Sequence, residues 1–274
     1  MRYLGVDLAW GEGTAQKAPA DTGVVVLDAD GRVVDAGWTC GIGETLAWVE
    51  ENAGTNALLF VDAPLVVNNV TGQRLCETQT GQRYGRWKVS ANTTNLSSRW
   101  LGGVTLRREL EARGWRYDDG SEGPPRSGRV VSECYPYTTL VGVVELGYDA
   151  ERPRYKRPPK KTPSAVWKPL RAKACDDLLR RLDLLVDGDP PLDLRSHAEV
   201  RRLLDEASPL GNRAYKRRED LIDALISAWT AAFWSRHGFA RCQVLGIAAD
   251  VPRVGRLPAT IIAPARPEQK RPKT

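Results

Sequence analysis

Histidine is scarce in this chain: His197 and His237 are the whole supply in 274 residues. Cysteine offers little more. Cys40, Cys76, Cys134, Cys175 and Cys242 are odd in number, widely scattered and never spaced as C-x-x-C. A structural zinc site needs clustered thiolates and imidazoles, and a disulfide framework needs paired cysteines, so neither is expected. A reducing cytoplasm is the expected location. No apolar run reaches the roughly 18 residues that span a bilayer. The opening "MRYLGVDLAW" carries Asp7 inside its short apolar stretch and has no small-residue cleavage site, so it does not read as a signal peptide. The glycine-containing helix starts "CGIGETL" and "WLGGVTL" fit neither the P-loop nor the dinucleotide fingerprint, and read as ordinary caps. No internal repeat is present.

What the chain does have is a 42% hydrophobic fraction, enough for one large domain or one domain with insertions. It also has a positive excess of +6, with a pI near 9.1. That excess is concentrated: Arg152 to Lys173 holds nine Lys/Arg and no acid. A basic surplus suits a polyanionic partner, although a solvated basic face gives the same composition.

Pattern along the chain gives an order of elements. "RYLGVDLAW" reads as a strand, and "TGVVVLDADGRVVDAGWT" as a hairpin turning at Asp30-Gly31. "GETLAWVEENAG" predicts a short helix ended by Gly54, and "NALLFVDAPL" a strand buried on both faces. From Val67 to Gly103 the chain is polar, predicting long loops with short helical pieces. "VTLRRELEARG" predicts a helix and "GRVVSECYPYTTL" a strand ending at Glu133. Residues 151–165, rich in Pro, Lys and Arg, predict no regular structure. Helices are predicted at 166–187, 196–207 and 217–236, and "ATIIAP" as a last edge strand.

Three acids share one placement. Asp7, Asp62 and Glu133 each stand at or near the C-terminal end of an apolar strand, the edge at which open α/β sheets bind ligands. Asp220 and Asp223 lie about 60° apart around the last long helix, leading a stripe of small residues (Ala224, Ser227, Ala231) opposite a large apolar half. Buried carboxylates need partners. Clustered oxygens without imidazole or thiolate make a hard site suited to Mg²⁺ or Mn²⁺. Two such ions about 4 Å apart serve phosphodiester cleavage. Each acid also has a plainer reading: Asp62 before Ala-Pro as a turn or cap residue, Asp220 as a favourable charge in a first helical turn, Glu133 as an arginine partner.

The order strand, hairpin, helix, strand, insertion, strand and helix, with acids on the first strand, the fourth strand and the last helix, resembles the RNase H-like layout. "DLID" on the closing helix resembles RuvC-type Holliday-junction resolvases. More closely, "GVDLAW", "VDAPLVVNNVTGQRLCE", "ECYPY" and "YKRREDLIDALISAWTA" resemble the "domain of unknown function 429" family of predicted RNase H-like nucleases, over about residues 1–235. The resemblance implies an α/β fold, a mixed five-stranded sheet flanked by helices with a polar insertion and a C-terminal extension. The chain as a whole reads as one domain over 1–264, with insertions near 67–103 and 150–212, and the basic tail at 265–274 reads as disordered. Asp7, Asp62, Glu133 and Asp223 fall in the family's motifs, with Asp220 beside them.

The expected activity is metal-dependent hydrolysis of nucleic-acid phosphodiesters, with Asp7 as bridging ligand, Asp62 and Asp223 completing the site, and Glu133 and Asp220 auxiliary. Lys216 would neutralise the phosphate. Asn68, Asn69, Arg74 and Asn95 match family positions and are candidate substrate contacts. Arg86 and Lys88 belong to "GRWKVSANTTNLSSRWLGG", whose mixed cations and aromatics suit stacked bases or a tryptophan-anchored insertion equally. Lys156 and Arg157 lie in a basic run that reads as a strand-guiding loop. Two alternatives remain: a phosphotransferase of the sugar-kinase/actin type, which needs a second copy of the fold, and a non-catalytic nucleic-acid-binding protein.

Overall fold

The computed structural model describes residues 1–11, 13, 18–156, 161–247 and 257–270. Arg157 lies outside them. The strands of the main sheet are β1 (Arg2–Asp7), β2 (Asp21–Leu27), β3 (Val33–Cys40), β4 (Ala57–Val61), β5 (Arg116–Tyr117) and β6 (Arg129–Glu133), in the spatial order β3-β2-β1-β4-β6-β5. The pairs β1–β2 and β2–β3 are antiparallel, whereas β1–β4, β4–β6 and β6–β5 are parallel. The sheet is mixed, as expected, and consistent with RNase H-like topology. It has six strands, because the two-residue β5 adds itself to the edge beyond β6. The β2–β3 turn forms around Asp28, whose Oδ1 accepts from the N–H groups of Asp30 and Arg32 at 3.0 and 2.9 Å.

Two apolar layers sandwich this sheet. On one face, α1 (Gly41–Ala53) and α3 (Gly102–Glu111) bury Leu46, Val49, Leu106 and Leu110 against Leu4, Val6, Leu59, Val61 and Val131. On the other face lies α7 (Asn212–Arg241), longer than its periodicity predicts, with a break in helical geometry at Gly238. Its Leu221, Ile222, Leu225, Ile226, Trp229, Phe233 and Trp234 are all buried, so the helix is covered on every side. Each such side chain contributes roughly 1.5–3 kcal/mol of burial free energy.

The insertions are built rather than loose. The first holds α2 (Leu75–Tyr84). Between β6 and α5 (Ser164–Asp183) comes α4 (Pro136–Gly142), and α6 (Ala198–Asp205) follows α5. "ATIIAP" is not an edge of the main sheet: β8 (Ile261–Pro264) pairs antiparallel with β7 (Cys242–Leu245) in a separate two-stranded ribbon. The expected disorder of the tail does not hold up to Lys270, because α8 (Pro267–Lys270) is docked. Buried Arg266 donates from Nε to the Val141 carbonyl at 2.9 Å, and Gln269 is fully buried. Residues 271–274 lie outside the described residues. No helix among the described residues is long and apolar enough to cross a membrane.

Candidate metal centre

Register brings the first two acids together. Val6 of β1 pairs with Val61 of β4, so the next residues, Asp7 and Asp62, stand side by side where the strands end. The Asp62 N–H donates to the Val6 carbonyl at 2.8 Å, holding the pair level. Alternation aims both side chains at the α7 face, since Val6 and Val61 are in the opposite layer. The helix can reach them because two strand residues have no side chain. A Cβ on Gly5 would lie 2.0 Å from the Ala224 carbonyl oxygen, and one on Gly23 would lie 2.1 Å from that of Asp220. The stripe of small residues expected on this helix thus meets strand glycines, and backbone packs on backbone.

This approach delivers Asp223. Carboxylate oxygens of Asp7, Asp62 and Asp223 all lie within 4.8 Å of one another. Asp223 is fully buried, whereas Asp7 and Asp62 are half-buried on the floor of a cavity of about 760 Å³. Asp220 and Lys216, one and two turns earlier on α7, line the same cavity.

Two ammonium groups stand against these acids. Lys156 Nζ lies 2.6 Å from Asp223 Oδ2 and 3.9 Å from Asp62 Oδ2. The hydroxyl of the adjacent Tyr155 donates to Asp223 Oδ1. Lys216 Nζ lies 2.6 Å from Asp220 Oδ1 and 2.9 Å from Glu219 Oε1.

The electrostatics follow from crowding of like charges away from water. Burial, then the charges of Asp223 and Asp62, holds the Asp7 carboxyl well above the usual carboxylate range, against the pull of both lysines. Burial pushes Asp62 up to about 7, with Lys156 opposing and Asp223 and Glu133 adding. Asp220 is pushed up to about 6 by burial, with Lys216 opposing. Burial works against the charge on Lys156, but Asp223, Asp62 and Asp7 override it and hold that amine well above its ordinary value. At Asp7, Asp62 and Asp220, burial thus outweighs the pull of the two lysines.

The donor set fits a hard divalent cation. Asp7, Asp62 and Asp223 offer oxygen only. The thiol that lines the cavity, Cys134, one residue beyond the β4–β6 register pair Val61–Glu133, is held well above its ordinary pKa by burial and by Asp62 and stays protonated. Among the described residues these three acids are the group that can hold an ion.

Glu133 is not in that group, and the reason is register. It pairs with Val61, not with Asp62, so its side chain leaves the strand on the other face, although it and Arg74 still line the cavity. There it meets Arg74, a residue expected at the substrate. Arg74 Nη1 and Nη2 donate to the two Glu133 oxygens at 2.8 and 2.7 Å, and its Nε donates to Glu77 at 2.8 Å. Glu133 also accepts from the Leu65 N–H at 3.0 Å, and Arg74 donates to the Val66 carbonyl at 3.1 Å. This buried triad pins the turn that follows Asp62.

The other expected substrate contacts divide. Asn68, Asn69 and Asn95 give their side-chain N–H groups to backbone carbonyls of Leu257, Thr94 and Gly72, and so hold loops together. Arg86 is exposed and lies over the Trp87 ring, and Lys88 is exposed with a left-handed backbone, φ 62°. Neither lines the cavity, which is walled instead by Trp10, Arg99, Trp100, Tyr135, Tyr137 and Arg152. Lys156, expected on a guiding loop, stands among the acids. Sequence reasoning misses Tyr155, which bonds Asp223, and the cavity residues Trp10, Tyr135 and Arg152; the signal at Tyr155 is a lone aromatic in a run otherwise of charge and proline.

Residues 5–244 match the family model described as "Protein of unknown function (DUF429)", and the chain belongs to that family. No curated protein and no solved structure matches it.

Proposed function

We propose that this member of the DUF429 family is a divalent-metal-dependent nuclease of RNase H-like descent, hydrolysing phosphodiester bonds in nucleic acid. The observation that carries this reading is the convergence of Asp7, Asp62 and Asp223 within 4.8 Å where two parallel strands end. Mg²⁺ or Mn²⁺ held by these carboxylates would supply Lewis acidity and lower the pKa of attacking water.

The chain's own residues do the rest. Hydrolysis forms a bond from water oxygen to phosphorus and breaks an ester P–O bond, so one proton must be taken and one returned. Asp220, which lines the cavity outside the group of three ligands and is pushed up to about 6 by burial, can take the proton from water. Lys216 lines the cavity and brings positive charge towards the phosphate. Trp10, Trp100 and Tyr135 offer faces for bases, and Arg99 and Arg152 offer charge for the backbone. The phosphotransferase alternative needs two copies of the sheet; the described residues form one six-stranded sheet and a two-stranded ribbon.

The test is cleavage of labelled single-stranded DNA and RNA, duplexes, an RNA–DNA hybrid and a four-way junction with Mg²⁺ or Mn²⁺. Wild type should cut at least one substrate, and Asp7→Asn and Asp62→Asn, purified identically, should lose at least a hundredfold. Equal cutting by all three, or none by any, overturns the reading.

A further inference from the structure

Asp223, the most deeply buried of the three acids, has a hydrogen-bond partner on Oδ1, whereas Oδ2 has an ammonium paired with it by charge rather than by a hydrogen bond. Tyr155 Oη donates to Oδ1 and Lys156 Nζ sits 2.6 Å from Oδ2. These partners are adjacent in the chain, and their segment is anchored. The Tyr155 carbonyl accepts from the Tyr215 hydroxyl at 2.6 Å, the Tyr155 side chain is fully buried, and its ring meets Tyr137 edge-on at 5.5 Å. The Lys156 ammonium lies 5.0 Å from the Tyr137 ring centroid and 5.6 Å from that of Tyr155, within reach of cation–π attraction. Its side chain is 17% exposed. A surface lysine straying over an acidic cluster would lack this setting: the ammonium has two carboxylates, two aromatic faces and a tethered backbone.

We infer that Lys156 is a built-in second cation. Its ammonium takes the place between Asp223 and Asp62 that a second divalent ion would fill, and the protein binds one divalent ion, in the group Asp7, Asp62 and Asp223. The inference rests on the metal-dependent reading above and departs from the two-ion arrangement that the carboxylate count suggests. It gives Lys156 a positioning role: it fixes the Asp223 carboxylate and keeps a permanent positive charge on that side of the site.

Counting ions tests it without any assay of cleavage. Mn²⁺ binding to the full chain is measured by equilibrium dialysis or calorimetry, for wild type, Lys156→Met and Lys156→Arg. Wild type should bind one ion per chain, Lys156→Met two, and Lys156→Arg one, because the guanidinium keeps the charge. A count in wild type other than one, or a folded Lys156→Met that still binds one, overturns the inference. The failures separate cleanly. Two ions in wild type remove the role of Lys156 and leave the nuclease reading standing; none in wild type and none in Lys156→Met removes both. If Lys156→Met does not fold, wild type decides alone. The ¹⁵Nζ resonance of Lys156 should stay in place at saturating Mg²⁺, and movement to the position of a free lysine shows that the ion displaces it.

Discussion

Glu133 shows how much a single residue of register decides. A buried arginine between two glutamates gains from each, and removing one partner leaves charge uncompensated among side chains no more than 3% exposed. Glu133→Ala should therefore lower unfolding free energy by about 3–5 kcal/mol in urea denaturation. It should keep Mn²⁺ binding at temperatures where the variant is folded. A Glu133 that ligated the ion would give the reverse: ion binding lost and stability little changed. The sequence places Glu133 at a strand end but cannot supply its pairing. Alternation turns a one-residue offset into the opposite face, and Val61, not Asp62, is its neighbour. Asp7 is legible in the sequence because a carboxylate inside an apolar strand is costly to bury without a cation to meet it.

Elements meet here through absent side chains. The seat of α7 on β1 and β2 depends on Gly5 and Gly23, and the atoms that a Cβ would strike are backbone, which cannot step aside. Gly5→Ala and Gly23→Ala should each cost at least about 3 kcal/mol, the upper end of ordinary overpacking. They should also weaken ion binding by lifting Asp223 away from Asp7 and Asp62. Gly37→Ala in β3 is the control: nothing lies within 4 Å of its Cβ position, and its cost should stay within about 0.5 kcal/mol. Urea unfolding of the three variants checks this, and equal costs would show that the close approach is not required. The amphipathic stripe of α7 is readable from its spacing. The strands it meets are not, because glycine in a strand reads equally as a weakness or a bulge.

At the scale of the whole molecule, the clustered acids set a dependence on pH. Asp7, Asp62 and Asp220 are all raised in the folded chain, Asp62 to about 7 and Asp220 to about 6, whereas unfolded aspartates titrate near 4. Between these limits the folded chain holds protons that the unfolded chain has released. The stability they contribute is complete below about pH 4 and is lost as pH rises through 6 and 7. In EDTA, the thermal midpoint should be lower at pH 8 than at pH 5.5. Saturating Mn²⁺, which competes with those protons, should raise the midpoint more at pH 8 than at pH 5.5. A midpoint in EDTA that climbs across this window would show that the acids are compensated without an ion.

The sequence by itself determined the α/β class, the hairpin at Asp30-Gly31, the buried central strand and the acids on strand ends and helix, because periodicity, turn chemistry and buried charge are local signals. It also carried the family. Only the tertiary structure decided which acids converge, that Glu133 serves Arg74, that the tail up to Lys270 docks, and that Lys156 stands against Asp223 and Asp62. Those outcomes depend on strand register, on the close approach that two glycines permit, and on contacts between residues such as Tyr155 and Asp223, 68 positions apart in the chain.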